Sequence, residues 1–164
     1  MNHLSLLGFL SRLTRYLVEK IHDKLLMTGV SQRSQDASIQ TIGQLERSLG
    51  QRMQSLHREL FRESLRNVVC HCFRNYVVVI MYDARLSIED ALLQWGEMES
   101  AQSVRQAVDQ HMREPWRALI SEVLQVPASI MMVDTDSDTG VTGIIAVLEH
   151  PLNVRRSYRS KADE

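Results

Sequence analysis

The chain has 164 residues, 44 % of them hydrophobic and 24 % charged, with a formal charge of -1; this is the balance of one soluble domain with a real core. That charge gives no global attraction for nucleic acid, and aromatic residues at 5 % offer few platforms for stacking bases. The only two Cys stand at i and i+2, which excludes a disulfide framework and fits a cytosolic compartment.

No run of about 18 apolar residues marks a membrane span. Arg12 and Arg15 interrupt the apolar N-terminus too early for a signal peptide.

Residues 3–27 read as an amphipathic helix. Leu6, Phe9, Leu10, Leu13, Leu17 and Ile21 recur at helical spacing, and Arg12, Arg15, Glu19, Lys20, Asp23 and Lys24 take the polar positions. Three placements fit such a helix: packing on its own domain or a second copy, lying on a membrane surface, or sitting in the groove of another protein. Residues 28–39 are polar and aperiodic and read as a linker.

A second helix is expected over 40–65, with Thr41 as cap and Gln44 at the capping-box position. Its Gly43 and Gly50 each weaken helix propensity by roughly 1 kcal/mol relative to Ala. His57 on this helix reads as a surface or boundary residue. Residues 67–73 and 76–82 form the clearest hairpin, turning at Arg74-Asn75, where Asn tolerates positive φ. The second of these strands is apolar on both faces, so both faces of its sheet should be covered.

Ser87, with Asp90 three residues on, marks the next helix start, and Gly96 its end. A further helix is expected from about 100 to 112. Pro115 then suits the first turn of a new helix, or a kink, and Pro127 ends that helix. A closing hairpin spans 130–149, and a polar, basic tail follows.

The order α-β-β, α-α, α-β-β predicts an α+β fold: one four-stranded antiparallel sheet built from two hairpins, with helices on one face and an N-terminal amphipathic helix in addition. The expected divisions are 1–39 (helix and linker), 40–150 (α+β domain) and 151–164 (tail). The second sheet face then needs the N-terminal helix, a second chain or a partner.

Two stretches could carry chemistry. In Cys70-His71-Cys72 a strand points the thiols to one face and the imidazole to the other. Zinc sites take four ligands, commonly with C-x₂₋₄-C spacing, so two small core residues are the simpler reading. The polar turn with Asp134, Asp136, Asp138 and Thr139 resembles half a calcium loop. Thr139 displaces the required Gly, and Ile145 stands where the twelfth-position Glu belongs. A bare turn, a weak cation site and a partner-binding loop remain open there. No phosphate loop, G-x-S-x-G or H-E-x-x-H occurs, so no catalytic, metal or cofactor-binding residues are assigned.

Thr41-Ile42-Gly43-Gln44-Leu45-Glu46, the strand Tyr76–Met81, Leu86-Ser87-Ile88-Glu89-Asp90, Arg113-Glu114-Pro115 and Val133–Val147 together resemble a bacterial family labelled sodium-translocating-system, MpsC-like, over about residues 40–150. Ser87, Ile88 and Asp90 correspond to the family's Leu-Thr-Pro-x-Glu helix start, with Ile in place of Pro. Asp136 and Thr139 correspond to its Ser-Asp-x-Ser-Thr turn. The stretch 61–67 lacks the glycines of the family's Gly-x-Gly-Pro-Lys segment.

The resemblance implies a role tied to membrane-potential generation or inorganic-carbon uptake. With the residue reading, it leads to a non-enzymatic accessory or regulatory protein, cytoplasmic or peripheral to the membrane. Such a protein would act through homo-oligomerisation, a dimer first, or through a partner. The alternative is a small-molecule or ion-sensing domain using the polar turn. No cofactor and no nucleic acid are expected.

Overall fold

The structure, a computed structural model, describes residues 40–154. The expected N-terminal helix with Leu6, Phe9, Leu10, Leu13, Leu17 and Ile21 lies outside the described residues, as does the tail beyond Val154. Within them the order is α1 (Ile42–Phe61), β1 (Asn67–Cys72), β2 (Tyr76–Tyr82), α2 (Ser87–Gln94), α3 (Met98–Leu124), β3 (Ala128–Asp136) and β4 (Val141–Leu148). The four strands form one antiparallel sheet in the order β1-β2-β4-β3. The expected α+β architecture of two hairpins in one sheet is therefore present, joined through the central pair β2–β4.

Helix α1 starts where the capping box places it. The Thr41 side chain accepts from the Gln44 N–H at 3.3 Å, and Gln44 Oε1 accepts from the Thr41 N–H at 2.8 Å. The helix ends at Arg62, in the left-handed region with φ 62. Gly50 faces β1: a Cβ there would stand 3.5 Å from the Val68 carbonyl oxygen and 3.8 Å from Cys70 Sγ. Both are ordinary contact distances, so α1 lies against the edge strand with room there for one methyl group.

Three expectations need correction. The helix after the first hairpin is capped at Leu86, whose side chain accepts no hydrogen bond, and not at Ser87. Glu89 accepts the Leu86 N–H at 3.0 Å. The Ser87 N–H is taken by the Glu63 carboxylate, and Asp90 is held by Arg85. The two helices expected on either side of Pro115 are one helix, α3, with the proline inside it. An interior proline costs about 3 kcal/mol. The buried stripe Val104, Val108, Met112, Trp116, Ile120 and Leu124 runs through it at a spacing of four, and its unbroken burial outweighs that cost. Finally, the Arg74-Asn75 turn closes with no positive φ at either residue; it is pinned by the Phe73 N–H on the Tyr76 carbonyl at 2.8 Å and by the stacked Phe73 and Tyr76 rings.

The core lies between the helices and one sheet face. Leu49 and Met53 of α1 and Met112 and Ile120 of α3 are buried with Val77, Val79, Met81 and Ile144 of the central strands. Helix α2 packs on α3.

Candidate interaction surfaces

The alternation of β2 and β4 sets up two unlike faces. Val77, Val79 and Met81 with Thr142, Ile144, Ala146 and Leu148 point to the helices and are buried. Their neighbours point the other way. In register across the sheet, one row holds His71, Val78, Ile145 and Met132, and the next Val69, Ile80, Gly143 and Asp134. Tyr76, Val147 and Ile130 form a third row. No described element covers this face. Ile130 is 56 % exposed, Met132 52 % and Ile145 41 %, an open apolar surface where a half-buried antiparallel sheet would present polar side chains. The expected cover on both faces is thus present on one face only among the described residues.

The edges of that face carry the polar groups. His71 on β1 stands 3.7 Å from Glu46, whose carboxylate also accepts the Cys72 N–H at 2.9 Å. Asp134 is exposed on β3, at the opposite edge.

The polar turn does not gather its carboxylates. Asp134 projects from the strand. Asp136 Oδ1 accepts the N–H groups of Asp138 at 2.9 Å and Thr139 at 3.3 Å, and these bonds hold its carboxyl below the usual range. Arg85 Nη2 donates to the carbonyls of Ser137 at 2.6 Å and Asp138 at 2.9 Å. Gly140 takes φ +68 beside Arg85, a conformation glycine supplies without strain. Asp136 and Thr139 therefore shape the turn, and Arg85, which the sequence reading did not single out, ties it to the start of α2.

Beneath the turn lies a buried ionic cluster that the sequence reading also missed. Arg105 stands 3.3 Å from Glu89 and 3.1 Å from Asp109, and it donates to the Ala84 carbonyl at 2.9 Å. Thr135 joins Asp109 to the buried Thr142 through hydroxyl bonds of 3.2 and 2.8 Å. Burial pushes the Glu89 and Asp109 carboxyls up, while the charge of Arg105 opposes the rise. Arg105 is one turn before Asp109, so the helical i, i+4 spacing was the available signal.

Cys70 and Cys72 are free, buried and on the helix side; burial first of all pushes both thiols up to about 12. His71 faces the other way, as strand alternation requires. His57 is buried against expectation. Its Nδ1–H donates to the Glu63 carbonyl at 3.1 Å, and its ring lies against Phe61. Among the described residues no group of three or more His, Cys, Asp or Glu could hold a metal ion, and no helix is long and apolar enough to cross a membrane.

Further exposed apolar side chains lie on the helix side: Trp95 at 68 % and Met98 at 63 % where α2 turns into α3, and Ile88 at 47 % in the first turn of α2.

No curated protein and no solved structure matches the chain. A protein-family model described as "Na+-translocating membrane potential-generating system (MpsC)" matches residues 41–150, from the capping threonine to the end of the closing hairpin. The match takes in the whole sheet and all three described helices, and the chain belongs to the MpsC family.

Proposed function

We propose that the chain is a non-catalytic accessory component of a sodium-linked membrane-potential-generating system, and that it acts by reversible self-association through the open sheet face. The family description supplies the setting; the observation that carries the mechanism is the uncovered apolar rows in which exposed Ile130, Met132 and Ile145 flank half-buried Val78 and Ile80.

The occupant that fits is a second copy of the chain. A two-fold axis parallel to the strands lays β1 of one copy over β3 of the other. The His71 edge of each copy then meets the Asp134 edge of its partner, one row apart, and the contact is formed twice. Four strands about 4.8 Å apart and about six residues long give a footprint of roughly 400 Å². That is below the ~800 Å² each partner contributes to a standard interface, so the dimer should be weak and concentration-dependent.

Sedimentation of the full chain over micromolar to millimolar concentrations tests this. The wild-type mass should rise toward two chains. Ile145→Lys, in the middle of the face, should hold it at one chain with an unchanged thermal midpoint. A wild type that stays monomeric throughout, or an Ile145→Lys protein with the wild-type mass curve, overturns the reading.

A further inference from the structure

We propose that the α2–α3 corner is a docking site for a basic amphipathic segment of a partner protein, with Trp95 as its anchor. The site is separate from the sheet face and does not depend on self-association.

The corner is built rigidly. Trp95 is the last residue of the helical turn, its N–H bonded to the Ala91 carbonyl at 3.1 Å. The Gly96 N–H then reaches the Leu93 carbonyl at 3.0 Å and the Glu97 N–H the Leu92 carbonyl at 2.9 Å, the two bonds of a Schellman motif. Gly96 supplies the φ of +77 that this motif needs. Helix α3 starts at the very next residue, Met98. The indole is therefore carried on a fixed backbone at 68 % exposure, and ordering it against a partner costs little entropy. Ile88 lies seven residues earlier on the same face of α2, and Met98 flanks the turn on the other side.

Charge selects the occupant. From Leu86 to Val104 the sequence has four acidic residues and no Lys or Arg. Glu89 is buried with Arg105, and Asp90 is paired with Arg85. Glu97 and Glu99 remain exposed, and among the described residues neither has a basic partner; Glu97 takes only the Ser100 hydroxyl at 3.4 Å. Two carboxylates at the start of α3 complement the helix dipole, which accounts for the acids but not for an exposed Trp, Ile and Met around them. An apolar stripe edged with Lys or Arg satisfies both features: the stripe covers Ile88 and Met98, and a cation can lie on the Trp95 ring between the two carboxylates. An anionic lipid surface would meet those same carboxylates with repulsion.

The chain has only two Trp, and Trp116 is 3 % exposed, so changes in solvent exposure read by fluorescence report on Trp95. The test uses the full chain and two Trp-free synthetic helices with the same Leu stripe, one with Lys and Arg on its polar face and one with Glu and Gln. The basic helix should shift the emission to the blue and shield Trp95 from acrylamide in a saturable way. Peptide anisotropy should show binding at least ten-fold weaker to Trp95→Ala, to Glu97→Gln/Glu99→Gln, and to wild type in high salt. All these positions are exposed, and circular dichroism of each variant checks its fold.

Equal binding of the acidic helix, or unchanged binding by the variants, overturns the proposal. So does a response only to vesicles containing phosphatidylglycerol, which would make the corner a membrane contact. A Trp95 already as shielded as Trp116 in the free, monomeric full chain also overturns it, because the chain's own N-terminal segment would then be the cover.

Discussion

The Arg105 guanidinium and the Glu89 carboxylate face each other at 3.3 Å with only 8 % and 5 % of their side chains exposed. Asp109 lies on the same guanidinium at 3.1 Å, so one cation neutralises two acids where water cannot. Removing the cation leaves both acids uncompensated, and breaking a buried pair in this way costs about 3–5 kcal/mol. Arg105→Met should show a loss of that size in urea unfolding at pH 7. Glu89→Gln should lose clearly less, since Asp109 still neutralises Arg105 and the amide oxygen still accepts the Leu86 N–H. The Arg105→Met penalty should also shrink on acidification. A carboxyl whose folded pKa is raised contributes stability that is full below its unfolded pKa and lost as pH rises through the folded value. Equal losses in the two variants, or a penalty independent of pH, would contradict this arrangement.

His57 predicts pH dependence of the opposite sign. Burial lowers its pKa below the usual 6.5, against the Glu63 carbonyl bond and the Glu63 charge, which raise it; Arg105 lowers it further. The folded chain therefore favours the neutral ring. The stability contributed is fully present above about pH 6.5 and is lost as pH falls through the folded pKa. The thermal midpoint of the wild type should drop as pH falls below 6.5, and His57→Asn, which keeps a donor for the Glu63 carbonyl but cannot titrate, should flatten the drop. A variant profile parallel to wild type across pH 5 to 8 would show that His57 is not its source.

Arg85 fixes the polar turn from outside it. Its three contacts go to the carbonyls of Ser137 and Asp138 and to the carboxylate of Asp90. Bonds from a charged donor are each worth about 1.5–3 kcal/mol when made in the interior, and less at a partly exposed site such as this one. Arg85→Met should therefore cost about 1–2 kcal/mol, with the effect local. Hydrogen exchange of the Ala84 and Gly140 amides, which bond to the carbonyls of Gly140 and Asp136, should speed up. The α1 amides should follow only the global loss. Uniform acceleration across the domain would show that the turn is not a separately held unit.

How much of this was legible in the sequence depended on the range of each interaction. The hairpins, the Thr41–Gln44 box and the stop at Gly96 are local, and their residues announce them. The two-faced apolar pattern of Tyr76–Tyr82 was visible, but alternation alone could not say which face the helices would take. Pro115 misled because a local rule for proline met a longer-range fact, the burial of six residues at a spacing of four along α3. The candidate surfaces fared less well. The acidic turn drew attention through composition, yet its Asp136 spends its carboxylate on the Asp138 and Thr139 amides. Only the Arg105–Asp109 pair follows a helical spacing; Arg85 reaches 53 positions along the chain and Arg105 reaches back to Glu89 and Ala84, and no spacing rule covers those contacts. No local signal marks Trp95 as exposed, because its exposure follows from the direction in which α2 packs on α3.

Cys70 and Cys72 give the last prediction. Both thiols face the helices, and burial holds both near 12, with the Cys72 and Glu46 charges adding to the rise for Cys70 and that of Glu46 for Cys72. The thiolate is the reactive form, so at pH 8 only about one thiol in ten thousand would carry the charge. A charged aromatic disulfide reagent should therefore leave the native chain almost unmodified over hours and react with both cysteines within minutes in urea. The native rate should track global unfolding, rising in Arg105→Met in proportion to its lost stability. Fast modification of one cysteine in the native chain would place that thiol outside the core and reopen a redox role for the Cys70-His71-Cys72 strand.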